Sequence, residues 1–377
     1  MKKIIRAFLL ALIFIIAFAS VSLAEVVPES DFEFDAATFT ITKYVGKGGD
    51  VEIPASIGGV PVYVIGDEAF AAPDPTSPWA YTNGAITSVI IPDEVSSIND
   101  GAFRNNWSLK TIKMPNNLTT IGSGAFSNCR SLSSITIPDG VTYIGNWAFS
   151  SCFALKSVII PDNAMIPNSE GMFFQCKELE TVKLPSNMTA ISDWTFSSCG
   201  RLKSVVIPDR VSSIGKGTFI GCGITEISIP NNVTFIGDSL FDSYSNSLSA
   251  INVGENNSAY ASVDGVLFNK SKDMLIAYPP AKTATSYDIP IGVVFISKNA
   301  FTSCRALNTI TIPEGVTSIE DLMFSGCFGL SSITIPQSVT SIGRYVFPYT
   351  LKTIYGYSGS YAEEYAIANN ITFSPIE

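Results

Sequence analysis

The sequence predicts a mainly β protein: a right-handed solenoid of about 12 coils of ~23 residues, with short parallel strands and a small C-terminal helix-strand cap. Three observations predict it. A leading apolar residue recurs at Ile86, Leu109, Leu132, Leu155, Leu179, Leu202, Ile224 and Leu248, in steps of 23, 23, 23, 24, 23, 22 and 24, and after a gap of 59 at Leu307, Leu330 and Leu351. Within each period, β-branched residues alternate with polar ones for a few positions and stop at a proline, which has no N–H for a ladder. One period also buries too little to offset its own ordering, so each coil needs the next as its hydrophobic partner.

The elements follow in chain order. Residues 1–24 carry Lys2, Lys3 and Arg6, an apolar run of about 13 residues, and small residues at Ser22 and Ala24. This predicts a secretory signal peptide cleaved after Ala24, because a spanning helix needs about 20 apolar residues. No second apolar run of that length occurs, so no transmembrane segment is expected in the mature chain. Residues 25–52 are expected to cap the N-terminal end, and residues 53–355 to form the solenoid.

Within the solenoid, 16 residues separate Phe70 from Ile86 where Phe149 to Leu155 shows six. This marks an insert at 71–85, and its prolines with Trp79 and Tyr81 predict an exposed loop. The unit "SLSSITIPDGVTYIGNWAFSSC" (131–152) is the clearest coil. Ile135 and Ile137 predict a strand, Pro138-Asp139-Gly140 a turn, and "VTYI" a second extended piece. Two apolar runs around "NKSKD" predict a hairpin-type variant coil at 253–290. In the C-terminal cap, 356–377, Ser360 and Glu363 predict a capping box for a helix over "YAEEYAIA", with Asn369-Asn370 ending it.

A period of 20 to 29 with recurrent leucines marks a leucine-rich-repeat solenoid. The pattern "LxxIxIPxxVxxIGxxAFxxC" resembles the BspA-like, Treponema-type leucine-rich-repeat family of bacterial and protist surface proteins, over about residues 40 to 355. The stretch "GGDVEIPASIGGVPVYVIGDEAF" (48–70) resembles that family's first coil, and "DGVLF…YP" a unit it commonly carries. The resemblance implies a secreted or cell-surface adhesion module that binds host matrix proteins or other cells.

The chain contains no histidine, which removes His-based nucleophile arrangements and His-ligated zinc. Acidic pairs such as Asp67-Glu68, Asp93-Glu94 and Glu363-Glu364 read as solvated, so no catalytic residue is assigned. Seven cysteines, 129, 152, 176, 199, 222, 304 and 327, each follow a Phe by three residues. Their common phase predicts a ladder of buried thiols over disulfides or a metal site, since stacked coils hold neighbouring Cβ atoms about 4.8 Å apart and a disulfide needs about 3.8 Å. Asp93, Asp139, Asp162 and Asp209 follow proline in one turn, a column that turn chemistry explains without calcium. No cofactor is implied.

Cleavage removes three cations and no acid, taking the formal charge from −10 to about −13, so nucleic acid is not an expected partner. Against that charge the outward strand columns keep hydroxyls and lysines. Ser88, Thr111, Ser134, Ser157, Thr181, Ser204 and Glu226 form one column; Ile90, Lys113, Thr136, Ile159, Lys183, Val206 and Ser228 form the other. The candidate ligand face is therefore Lys110, Lys113, Lys156, Lys183 and Lys203 with Thr111, Thr136 and Thr181, and the candidate loop is Trp79 with Tyr81. The expected partners are extracellular proteins or glycans. The alternative is a structural cell-envelope repeat protein without a specific ligand.

Overall fold

The computed structural model describes residues 27–73, 85–168, 170–241 and 247–377. The expected signal segment and the loop residues Trp79 and Tyr81 lie outside them. The chain winds as a parallel β-solenoid. Most coils contribute a strand to a first face, such as Ile86–Ile90 or Thr111–Lys113, and a two-residue strand to a second, such as Ser97–Ile98 or Thr120–Ile121. Both pair in parallel with the neighbouring coils. The third side is built from turns whose alternate N–H groups donate onward to the next coil. Phe103 N–H reaches the Ala125 carbonyl at 2.8 Å, and Phe126 N–H that of Ala148 at 2.8 Å. Every coil thus uses its neighbours for the backbone bonds that it cannot make within itself.

Inside, one phenylalanine per coil stacks on the next. The rings at Phe103, Phe126, Phe149, Phe173, Phe196 and Phe219 follow one another at 5.5 to 5.8 Å with interplanar angles of 2 to 10°. All six are fully buried. At the N-terminal end Phe32, on an antiparallel strand pair Phe32–Asp35 and Thr40–Tyr44, packs against Phe70 and Tyr44. It covers the first ring of the column.

The variant coil contains the expected hairpin, Val266–Asn269 with Met274–Ala277, and adds a third antiparallel strand, Tyr260–Val263. Asp264 and Gly265 join that strand at φ of 49° and 77°, the left-handed pair of a tight hairpin turn. Strand Val266–Asn269 also divides the interior. Leu267 belongs to the core of the preceding coils, while Val266 and Phe268 belong to that of the following ones, as alternation along a strand requires.

Two local expectations are corrected. The segment around Ile135 and Ile137 forms no ladder, and neither does its counterpart at Ser204–Ile207. Both isoleucines stay buried, and Lys156 N–H still reaches the Ser133 carbonyl at 3.2 Å. Alternation encodes which side chains face inward, and that is kept; the spacing of two backbones is a separate quantity that it does not encode. At the C-terminal end, helix α1 (Tyr361–Ala368) forms where expected, followed by strand Thr372–Pro375 beside Thr353–Gly356. The capping box does not form. Glu363 accepts the N–H of Gly359 at 2.7 Å, the Ser360 N–H goes to the Tyr357 carbonyl, and Ser360 Oγ is buried without a partner. The helix end is orthodox: Asn370 sits at φ 55°, and Ile371 N–H returns to the Ala366 carbonyl at 2.9 Å.

Candidate ligand face

The first face brings the predicted residues into two patches. Thr111 lies beside Ser88 and Lys113 beside Ile90 in one ladder, and Thr181 beside Ser157 and Lys183 beside Ile159 in another. Thr136 lies between them, in the coil that makes no ladder. Lys110, Lys113, Lys156, Lys183 and Lys203 are all exposed, as are Thr111, Thr136 and Thr181. The lysines are not equivalent. Lys183 Nζ pairs with Asp162 at 3.2 Å. The Asp162 carboxyl is held below its ordinary range first by the Ser186 N–H and then by Lys183. Glu180, the acid between Lys156 and Lys203, is engaged by Arg201 at 3.6 Å, and Arg201 also reaches Glu178 at 3.1 Å. At the N-terminal edge Asp50 accepts hydrogen bonds from Ser88 and Thr87 at 2.6 and 2.8 Å, which lower its pKa.

Two features of this surface go beyond a strip of hydroxyls and lysines. Ile159 is 65% exposed and Val206 84%, in the same column as Lys113 and Lys183, so the face alternates cationic and apolar contacts. Along its rim, the residue after each cysteine position reads Trp107, Arg130, Phe153 and Lys177 in successive coils. The Arg130 guanidinium lies 5.2 Å from both the Trp107 and Phe153 rings, and Lys177 Nζ lies 4.6 Å from Phe153. Four coils are thereby tied by cation–π contacts. The signal was present in the sequence as one residue per coil.

The cysteines do not contribute chemistry to this face. All seven are free and buried. The thiols of Cys129, Cys152, Cys176, Cys199 and Cys222 each donate to the carbonyl of the Phe one coil earlier, at 3.0 to 3.2 Å. Burial pushes them up, Cys152 and Cys222 to about 12, so they are poor nucleophiles. Asn106 occupies the same position in its coil and donates to the Phe70 and Phe103 carbonyls at 2.7 and 2.9 Å. The turn aspartates also serve the stack. Asp93 accepts the Asn116 backbone N–H at 2.9 Å and its side-chain amide at 3.1 Å, and Asp162 accepts the Ser186 N–H. Among the described residues no three Cys, Asp or Glu side chains gather as a metal site, and no helix is long and apolar enough to cross a membrane.

Solved structures resemble this architecture. A leucine-rich cell surface protein from Faecalibacterium prausnitzii A2-165 is 31% identical, with a TM-score of 0.60 over 89% of this chain and 95% of that one. A leucine-rich repeat protein from Bacteroides ovatus ATCC 8483 is 25% identical, with a TM-score of 0.58 over 94% of this chain and 97% of that one. Among curated proteins none matches. The family model described as "BspA type Leucine rich repeat region (6 copies)" matches residues 77–199, 168–272 and 280–374. With the repeat phase, the ring column and this coverage in agreement, the chain belongs to the BspA-type leucine-rich-repeat family.

Proposed function

We propose that the chain is an extracellular interaction module of the adhesin kind, capturing protein or glycan partners on its first strand face, and that it binds without catalysing. On this reading residues 1–24 direct export and are removed after Ala24, residues 25–52 and 356–377 cap the ends, and the loop holding Trp79 and Tyr81 flanks the face. The observation that supports it is the concentration of exposed lysines, beside exposed Ile159 and Val206, on an acidic chain. Exposed cations chiefly steer encounter with acidic partners, and the apolar contacts between them slow departure. The family resemblance and the surface location of the F. prausnitzii relative agree with this role.

The test begins with partners recovered from matrix and cell-wall fractions by the mature chain. Replacing Lys113, Lys156, Lys183 and Lys203 by serine is expected to lower the association rate severalfold at low salt, with the difference vanishing at high salt. Lys183→Ser alone is expected to change the rate least, because Asp162 already pairs with that cation. An unchanged rate and salt dependence in the folded fourfold variant would remove the binding site from this face.

A further inference from the structure

At one corner of successive coils the backbone passes through the left-handed region, and three of the residues there are large aromatics: Trp147 at φ 56°, Trp194 at φ 58° and Tyr345 at φ 51°. A bulky side chain in that conformation is strained, and strain persists where something offsets it. For the tryptophans the return is visible. A Cβ on Gly171 would collide with the Trp147 ring, and one on Gly217 with the Trp194 ring, so each indole lies flush on the glycine of the next coil. Tyr345 has no such partner, and it is 82% exposed.

Its surroundings make a site. Tyr349 is 88% exposed and Phe328 50%, with their rings 5.9 Å apart. Tyr345 and Tyr349 line a groove of about 700 Å³ between the last coil and α1. Its floor is Phe347 and Tyr365, edge to face at 5.7 Å. Arg344, Asn369 and Asn370 stand at the edge. Arg344 has no ion pair among the described residues. Asn369 spends its amide N–H on the Tyr365 carbonyl at 2.8 Å, which leaves its side-chain oxygen to accept.

We propose that this groove binds an oligosaccharide carrying carboxylate sugars. Wet aromatic faces gain most from a flat ligand whose polarised C–H groups meet the negative π surface, and a pyranose ring presents such a face with hydroxyls around its rim. The two asparagines supply neutral partners for those hydroxyls. An apolar peptide side chain would instead need an enclosed apolar pocket, and these rings stand open. The cation that lines this groove, Arg344, is an arginine, whose fork matches a carboxylate. The site shares no residue with the strand face and stands or falls without it.

The experiment is calorimetric titration of the full chain with tetragalacturonate and with its neutral counterpart, tetragalactose. Tetragalacturonate is expected to bind saturably. Tyr345→Ala and Tyr349→Ala should each weaken it at least about tenfold, while far-UV circular dichroism stays unchanged because both rings are exposed. Arg344→Gln should weaken the acidic ligand about tenfold and leave the neutral one as it was. Equal binding of both tetramers by the unaltered chain would overturn the carboxylate assignment. No saturation at concentrations on the order of 10 mM, binding indifferent to all three substitutions, or a concentration-dependent dimer abolished by Tyr345→Ala would overturn the site.

Discussion

Phe149 lies between Phe126 and Phe173 at 5.8 Å on either side and is fully buried. Phe149→Ala is expected to cost about 3 to 5 kcal/mol, as aromatic truncations in cores do; chemical unfolding beside an exposed Ser→Ala control checks it. The sequence showed this position because phase repeats. Phase shows direction more readily than partners: the thiols read as buried, but their hydrogen bonds to the preceding Phe carbonyls did not, and neither did the ion pair from Lys183 back across a coil to Asp162. The thiols give a pH prediction. Cys152 is raised by burial from its ordinary value of 9.0 to about 12, so the unfolded chain loses its proton first. The stability contributed is complete below pH 9 and is lost as pH rises from 9 towards 12. Cys152→Ala should therefore make the fall in stability over that window shallower. A slope equal to that of the unaltered chain, measured by denaturant titration at several pH values, would contradict the burial assigned to this thiol.

The coil corner shows how a single element tolerates residues that local preference disfavours. Gly171 at φ 55° is overlain by the Trp147 ring, whereas Gly124 at φ 60° has only Ser127 Cβ nearby, at 3.8 Å. Gly124→Ala should cost about 1 kcal/mol, the penalty of a left-handed alanine. Gly171→Ala should cost about 1 to 3 kcal/mol more, since it must also displace the indole. Equal midpoint shifts for the two variants would show that the ring does not lie on that glycine. Elements were legible where turn chemistry was unambiguous. Proline closed strands such as Ser157–Ile159 before Pro161 and Glu226–Ile229 before Pro230, Asn369-Asn370 ended the helix, and "NKSKD" closed a hairpin. The third strand of the variant coil, Tyr260–Val263, was missed although Asp264-Gly265 is a strong tight-turn signal. The capping box failed for a local reason, because the Tyr357 carbonyl, three residues earlier in the same turn, takes the N–H that Glu363 needed. The alternation around Ile135 gave the buried face without the ladder, since register between coils is settled by backbone spacing along the whole stack.

Across the molecule, the repeat breaks at the gap of 59 between Leu248 and Leu307, and the interior divides there. The ring column runs through Phe219 to Phe241 and restarts at Tyr278, Phe301 and Phe324. The two interiors meet at strand Val266–Asn269, where Leu267 faces one and Val266 and Phe268 face the other. In a repeat stack, cooperativity is the product of nearest-neighbour interfaces, and the weakest interface decides whether the two halves unfold together. Truncating the fully buried Leu267 removes contacts on the N-terminal side of that strand and is expected to cost about 2 to 5 kcal/mol there. All four tryptophans, Trp79, Trp107, Trp147 and Trp194, precede the junction, so indole fluorescence reports the first interior and far-UV circular dichroism reports both. Leu267→Ala should therefore lower the fluorescence midpoint in urea by more than the circular dichroism midpoint, opening a gap wider than in the unaltered chain. Midpoints that fall together by the same amount would mean that strand Val266–Asn269 transmits the loss in full, and that the two interiors behave as one cooperative core.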